Sequence, residues 1–240
     1  MTLLQVNALS KRFGGFAALT DVSLTVRAGE RLGIIGPNGS GKTTLINCIC
    51  GALTPETGSI AFDGTDVTRL AAYRRTRLGI ARSFQIPRPF SSMTLVDNVA
   101  VPLEYVAHRG LAGGAGIRHE AIGLLEQMGL RESADALAGT LTQVGLRKLE
   151  LARALAVRPR LLILDEVMAG LSSVEVDEML AIVFAVSQRG VTILMIEHIM
   201  RAIMRFSQRV VCLDAGRVVA DAEPAAVVAD PMVQRIYLGG

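Results

Sequence analysis

The sequence predicts an α/β fold: a mostly parallel sheet flanked by helices and interrupted by a helical insertion. Three observations carry this. Apolar runs of strand length at 32–35, 161–164, 191–196 and 210–213 alternate with helical patterns, which is how parallel sheets are assembled. The first of these runs leads directly into Gly36-Pro37-Asn38-Gly39-Ser40-Gly41-Lys42-Thr43, a strand, Gly-rich loop and helix in succession. Between about Pro87 and Pro159 strand punctuation disappears and helical patterning takes over, so the chain divides into a core of 1–86 and 160–240 and an inserted helical subdomain of 87–159.

In chain order, Val22, Leu24 and Val26 alternate with Ser23, Thr25 and Arg27, a half-buried strand ended by the turn Ala28-Gly29-Glu30. Leu32-Gly33-Ile34-Ile35 is continuous and reads as a fully buried strand. Thr43 to Cys50 has a helical pattern, and Gly51 suits a left-handed stop. Pro55 to Gly64 is a turn followed by a short strand carrying Ile60 and Phe62. Inside the insertion, Gly110 to Gly116 reads as a Gly-rich loop, while Ile122, Leu125 and Met128 share one helix face and Gly129 suits its end. Ser172 and Glu175 form the S-x-x-E capping box of a helix between two later strands.

Composition narrows the function. Half of the 240 residues are apolar, ample for a core, yet every apolar run falls far below the ~18 residues that span a bilayer. The N-terminal segment lacks a basic stretch followed by an apolar core and cleavage site, so the expected compartment is the cytoplasm. Cys48, Cys50 and Cys212 have neither metal-ligand spacing nor a disulfide framework and read as packing residues. The net charge of +3 comes from scattered basic residues, which argues against a nucleic-acid partner.

The Gly36 to Thr43 run fits G-x-x-x-x-G-K-[ST] in its confirming context. Glycines let backbone N–H groups approach phosphate oxygens, and a helix N-terminus adds positive potential there. Lys42 is expected to reach the β- and γ-phosphates, and the Thr43 hydroxyl to hold Mg²⁺, with Thr44 completing the cradle. Leu161 to Leu164 end in Asp165 and Glu166, placing one carboxylate to orient Mg²⁺ and another to polarise the attacking water. The strand at 191–196 delivers Glu197 and His198 at the edge where ligands bind open α/β sheets. His108 and His119 lie in helical or loop stretches and read as surface residues. Gln85 sits at the border of the insertion, where an amide can meet both Mg²⁺ and water on a loop free to move.

These elements, together with "LELARAL", "LLILDE" and "IEH", occur in the order found in ATP-binding cassette (ABC) ATPases, which the chain resembles over nearly its whole length. More narrowly, "KRFGGFAAL", "ARSFQIPRPFSSMTLVDNV", "IEHIM" and "IYLGG" resemble the ATP-binding subunits of importers for branched-chain amino acids and related small solutes such as amides and urea. The resemblance implies a P-loop NTPase core with an antiparallel β subdomain. It further implies that Phe13 stacks on adenine, Gln85 couples nucleotide state to a membrane subunit, Glu166 is the catalytic base and His198 the switch histidine. Two ATPase subunits, identical or different, then face each other head to tail on membrane-spanning permease subunits. They sit peripherally on the inner face of the membrane, with a solute-binding protein acting indirectly from outside.

The sequence departs from that family at several positions. Val167 follows the catalytic glutamate where proline is usual, and Ser172 stands where Asp or Asn is frequent. In Leu141-Thr142-Gln143-Val144-Gly145, the counterpart of the usual LSGGQ, Thr142 keeps the hydroxyl but Val144 occupies the glycine place. Using Gly145 instead turns the contact by about 100° around the helix. The expectation is therefore a competent P-loop beside a poor signature, with Thr142 and Gly145 as its contacts to the partner's ATP. Rival readings are a slowly hydrolysing regulatory subunit, a soluble ABC ATPase outside transport, and a P-loop kinase.

Overall fold

The computed structural model describes residues 1–84, 86–107 and 114–238. The chain begins with a hairpin: β1 (Thr2–Phe13) and β2 (Phe16–Arg27) pair antiparallel through Phe13 opposite Phe16 across Gly14 and Gly15. β3 (Arg31–Ile35) leads through the P-loop into α1 (Lys42–Cys50), followed by β4 (Thr57–Phe62) and β5 (Thr65–Asp66). β2, β1, β4 and β5 form an antiparallel sheet. Then come α2 (Ala72–Leu78), β6 (Ile80–Arg82), the helices α3 (Leu95–Pro102), α4 (Gly114–Gln127) and α5 (Gln143–Ala156), and β7 (Leu161–Asp165). The chain continues with α6 (Ser173–Gln188), β8 (Thr192–Ile196), α7 (Met200–Phe206), β9 (Arg209–Asp214), β10 (Arg217–Ala222), α8 (Pro224–Ala229) and α9 (Pro231–Leu238).

The second sheet runs β10-β9-β3-β8-β7-β6. Its neighbours are parallel except β10, which pairs antiparallel with β9. Both faces are buried, which is why these strands read as unbroken apolar runs. Leu161, Ile163, Leu194 and Ile196 point into a core shared with α1 and the antiparallel sheet. Leu162, Leu164, Ile193 and Met195 point into a core shared with α4, α5 and α6, as the period of two requires.

Local chemistry sets the ends. Gly51 caps α1 at φ 79°, and Ser172 and Glu175 close the expected capping box. Arg75, 1% exposed, donates to the carbonyls of Cys48 (2.6 Å), Ile49 (2.8 Å), Leu70 (2.8 Å) and Thr68 (3.0 Å). The orphan carbonyls at the end of α1 are thereby satisfied by a side chain from α2. Val167 packs 4% exposed in the larger core, so the missing proline is replaced by apolar burial. The cysteines are free, with Cys48 and Cys212 buried. No described helix is long and apolar enough to cross a membrane.

Candidate nucleotide site

The strand order places β8 between β3 and β7. The P-loop, the Asp165-Glu166 pair and His198 therefore issue from three neighbouring parallel strands at their C-terminal edge, where helix dipoles and loop amides converge. A cavity of about 210 Å³ lies there, lined by Phe13, Phe16, the loop from Asn38 to Thr44 and Glu166. Phe13 and Phe16 are both largely exposed, held side by side by the tight β1–β2 turn. Lys11 Nζ lies 5.6 Å from the Phe13 ring centre.

Gly36, Gly39 and Gly41 have φ of 150°, 81° and 103°; at Gly41 an added Cβ comes within 2.6 Å of the Ala18 carbonyl oxygen. Only glycine fits that approach. α1 begins without a side-chain cap and without an acidic residue in its first turn, leaving its opening amides for an anion. Lys42 Nζ donates to the carbonyls of Gly36 (2.7 Å) and Pro37 (2.9 Å). Burial lowers its pKa, while the charges of Glu166 and Asp165 pull the other way.

Glu166 stands in the left-handed region at φ 50°, a strain on the order of 1 kcal/mol for a residue with a Cβ. Its N–H donates to the Ile196 carbonyl at 2.9 Å, which locks the end of β7 to the end of β8. Asp165 is buried and its Oδ2 accepts from Arg82 Nη2 at 2.6 Å, while Arg82 Nη1 donates to Asn47 Oδ1 at 2.6 Å. This arginine ties α1, β6 and β7 together and already neutralises the carboxylate. Among the described residues no three His, Cys, Asp or Glu cluster as a metal cage. Thr43 and Asp165 offer oxygen ligands, a pair that suits Mg²⁺ only alongside phosphate oxygens.

His198 is exposed two residues beyond β8, and His119 is exposed on α4. Glu197, 1% exposed, accepts the Met168 N–H at 2.8 Å, and its other oxygen is buried without a hydrogen-bond partner among the described residues. Burial pushes its pKa up to about 7 against the Met168 N–H, and the Glu166 charge adds to the rise. Gln85, His108 and 110–113 lie outside the described residues, and 114–116, expected in a Gly-rich loop, instead open α4.

The signature segment is placed apart from this cavity. Thr142 is the N-cap of α5, its hydroxyl accepting the Gly145 N–H at 3.3 Å, and Gly145 is buried. Phe16, Arg82 and Tyr237, whose hydroxyl accepts the Gly36 N–H at 2.7 Å, have no part in the sequence-based site, and Glu197, expected at the strand edge, is buried instead of facing the cavity. The paired aromatics of "FGGF" were the signal for Phe16, since Gly-Gly between strands is a hairpin turn. The others depend on contacts no short spacing reveals.

The model of the family described as ABC transporter matches residues 19–169. The chain belongs to the ABC transporter family. Its activity is therefore that of an ABC ATPase, nucleotide hydrolysis coupled to transport. It is 37% identical over 249 residues to the high-affinity branched-chain amino acid transport ATP-binding protein BraF of Pseudomonas aeruginosa, covering 99% of this chain and 98% of that protein. It is 34% identical over 247 residues to a probable branched-chain amino acid transport ATP-binding protein, LivG, of Archaeoglobus fulgidus, covering 100% of this chain and 96% of that protein. The ADP conformation of the cassette MJ1267 superposes with a TM-score of 0.89 at 30% identity over the full length of both chains. A dimeric post-hydrolysis state of the cassette MJ0796, bound to ADP and Pi, matches at 0.84 and 25% identity over 92% of this ABC ATPase and 99% of that chain. ATPases of this family dimerise and work with transmembrane permease subunits.

Proposed function

We propose that this chain is the ATPase subunit of an importer for branched-chain amino acids or related small solutes. The observation that carries the site is the single cavity uniting Phe13 and Phe16, the P-loop and Glu166. Adenine stacks on the hairpin aromatics, and phosphates lie on the loop amides and the uncapped start of α1. Lys42 exchanges the Gly36 and Pro37 carbonyls for β- and γ-phosphate oxygens. Thr43, Asp165 and Gln85 would hold Mg²⁺, which would supply neutralisation of phosphate charge there. Glu166 accepts a proton from the attacking water, and His198 donates a hydrogen bond near the γ-phosphate.

Residues 1–86 and 160–240 serve as the nucleotide core and 87–159 as the helical subdomain. Between them lies a mostly apolar groove of about 440 Å³, bordered by Thr76, Phe84, Pro102, Tyr105, Arg153 and Val157. Phe84 and Tyr105 in its lining are exposed, as are Ile86 and Phe90 a few residues beyond Phe84 in the chain. Apolar side chains gathered at a groove mark an interaction surface, and we assign it to a permease subunit at the inner face of the membrane. The relatives' names support the solute class.

The decisive experiment is co-expression with candidate permease subunits and measurement of ATP-driven uptake of leucine, isoleucine and valine into vesicles. Uptake lost in both Lys42→Ala and Tyr105→Asp, with ATP binding lost only in the first, supports the reading. ATP turnover with neither permease association nor uptake would reject the transport role.

A further inference from the structure

Tyr237 near the end of α9 takes no part in the chemistry above, yet it reaches the nucleotide site. α9 docks through Val233, 4% exposed and part of the larger core. From that anchor the Tyr237 hydroxyl accepts the Gly36 N–H at 2.7 Å, across 201 residues of sequence. Gly36 is where β3 gives way to the phosphate loop. It is confined on its other side, since an added Cβ would lie 2.2 Å from the Leu213 carbonyl oxygen and 2.6 Å from Ser40 Oγ. The Gly36 carbonyl holds Lys42 Nζ at 2.7 Å. One residue thus meets α9 through its nitrogen and the phosphate-binding lysine through its oxygen.

We propose that Tyr237 is a positioning residue of the phosphate loop. The C-terminal helix fixes Gly36, and with it the origin from which the loop amides and Lys42 address phosphate. The inference rests on the reading of this loop as the ATP site. A loop whose entry is fixed before binding loses less freedom on binding, so it binds more tightly. Because linkage is reciprocal, ATP in the loop strengthens the docking of α9 by the same factor that docking strengthens ATP binding.

The test uses the full chain. Tyr237→Phe keeps the ring and removes the acceptor; Tyr237→Ala removes both. ATP binding is measured by calorimetry in a Glu166→Gln background, and KM and kcat in the otherwise unaltered chain. The loss of one hydrogen bond of ordinary net strength predicts about three- to tenfold weaker ATP binding for Tyr237→Phe, with a matching rise in KM and kcat within about twofold. Tyr237→Ala is expected to weaken binding at least as much. Lys42→Ala is the reference for the site itself. Should it bind ATP as well as the wild type, the site reading falls and this inference with it. If Lys42→Ala loses ATP while Tyr237→Phe binds normally, or if Tyr237→Phe lowers kcat at unchanged KM, the positioning role alone is overturned.

Discussion

Two helix N-termini in this ABC ATPase are built in opposite ways. α1 starts at Lys42 after Gly41 with no side-chain cap, and its first residues line the cavity. α5 starts at Gln143 after Thr142, whose hydroxyl takes the Gly145 N–H, and an added Cβ at Gly145 would lie 3.2 Å from the Leu141 side chain. Both carry the partial positive charge of a helix start. A helix start is open to an anion when its amides lack an internal acceptor and its backbone is bare. α1 meets both conditions, whereas α5 caps itself and presents the branched side chain of Val144.

The largest effect tests the α1 side. Glu166→Gln is expected to retain ATP binding while hydrolysis falls by roughly 10²- to 10⁴-fold, the usual contribution of a general base. Steady-state turnover and nucleotide titration check this, and turnover near that of the wild type would show that the base lies elsewhere.

Next in size is the far end of the same helix. Arg75→Ala leaves the carbonyls of Cys48 and Ile49 without their buried donor, with an expected stability loss of roughly 3 kcal/mol. Urea unfolding measures it, and a loss below about 1 kcal/mol would mean water or the loop replaces the guanidinium.

Of comparable size, but visible only as a pH dependence, is Glu197 beneath Glu166. From the ordinary value of 4.5 its pKa rises to about 7 in the folded chain. Between those values the unfolded chain has released a proton that the folded chain keeps. Stability therefore falls as pH rises through that window, by on the order of 3 kcal/mol, and levels off above it. Unfolding curves at about pH 5 and about pH 8 are expected to converge in Glu197→Gln; an unaltered slope would assign the dependence to another group.

The smallest effects probe α5. Thr142→Ala removes its cap, at about 1 kcal/mol. Val144→Gly bares the backbone and is expected to raise ATP turnover of the homodimer several-fold, despite about 1 kcal/mol of lost helix propensity. Brisk cooperative turnover by the wild type, unchanged in Val144→Gly, would erase the contrast between the two helix starts.

Much of this is legible in the sequence. The buried strands at 32–35, 161–164 and 210–213, the stop at Gly51 and the capping box at Ser172 are encoded within a few residues of one another, and each appears as expected. β1 escaped notice although it is a 12-residue strand. Its pairing with β2 shifts register repeatedly, so polar residues interrupt the alternation that reveals a strand. α2 was equally hidden, because Arg75 lies buried where a surface arginine is the norm. At the site, the P-loop and the Asp165-Glu166 pair were readable as contiguous motifs, while Phe16 needed the hairpin closed to stand beside Phe13.

By itself, the sequence determined the α/β class, the phosphate loop and the carboxylates, because hydrophobic period and turn chemistry act over a handful of residues. Only the tertiary structure decided that Asp165 is held by Arg82, 83 residues away, and that Gly36 is held by Tyr237, 201 residues away. Such contacts form when parallel strands bring distant segments to one edge, and their geometry depends on the packing of the whole core.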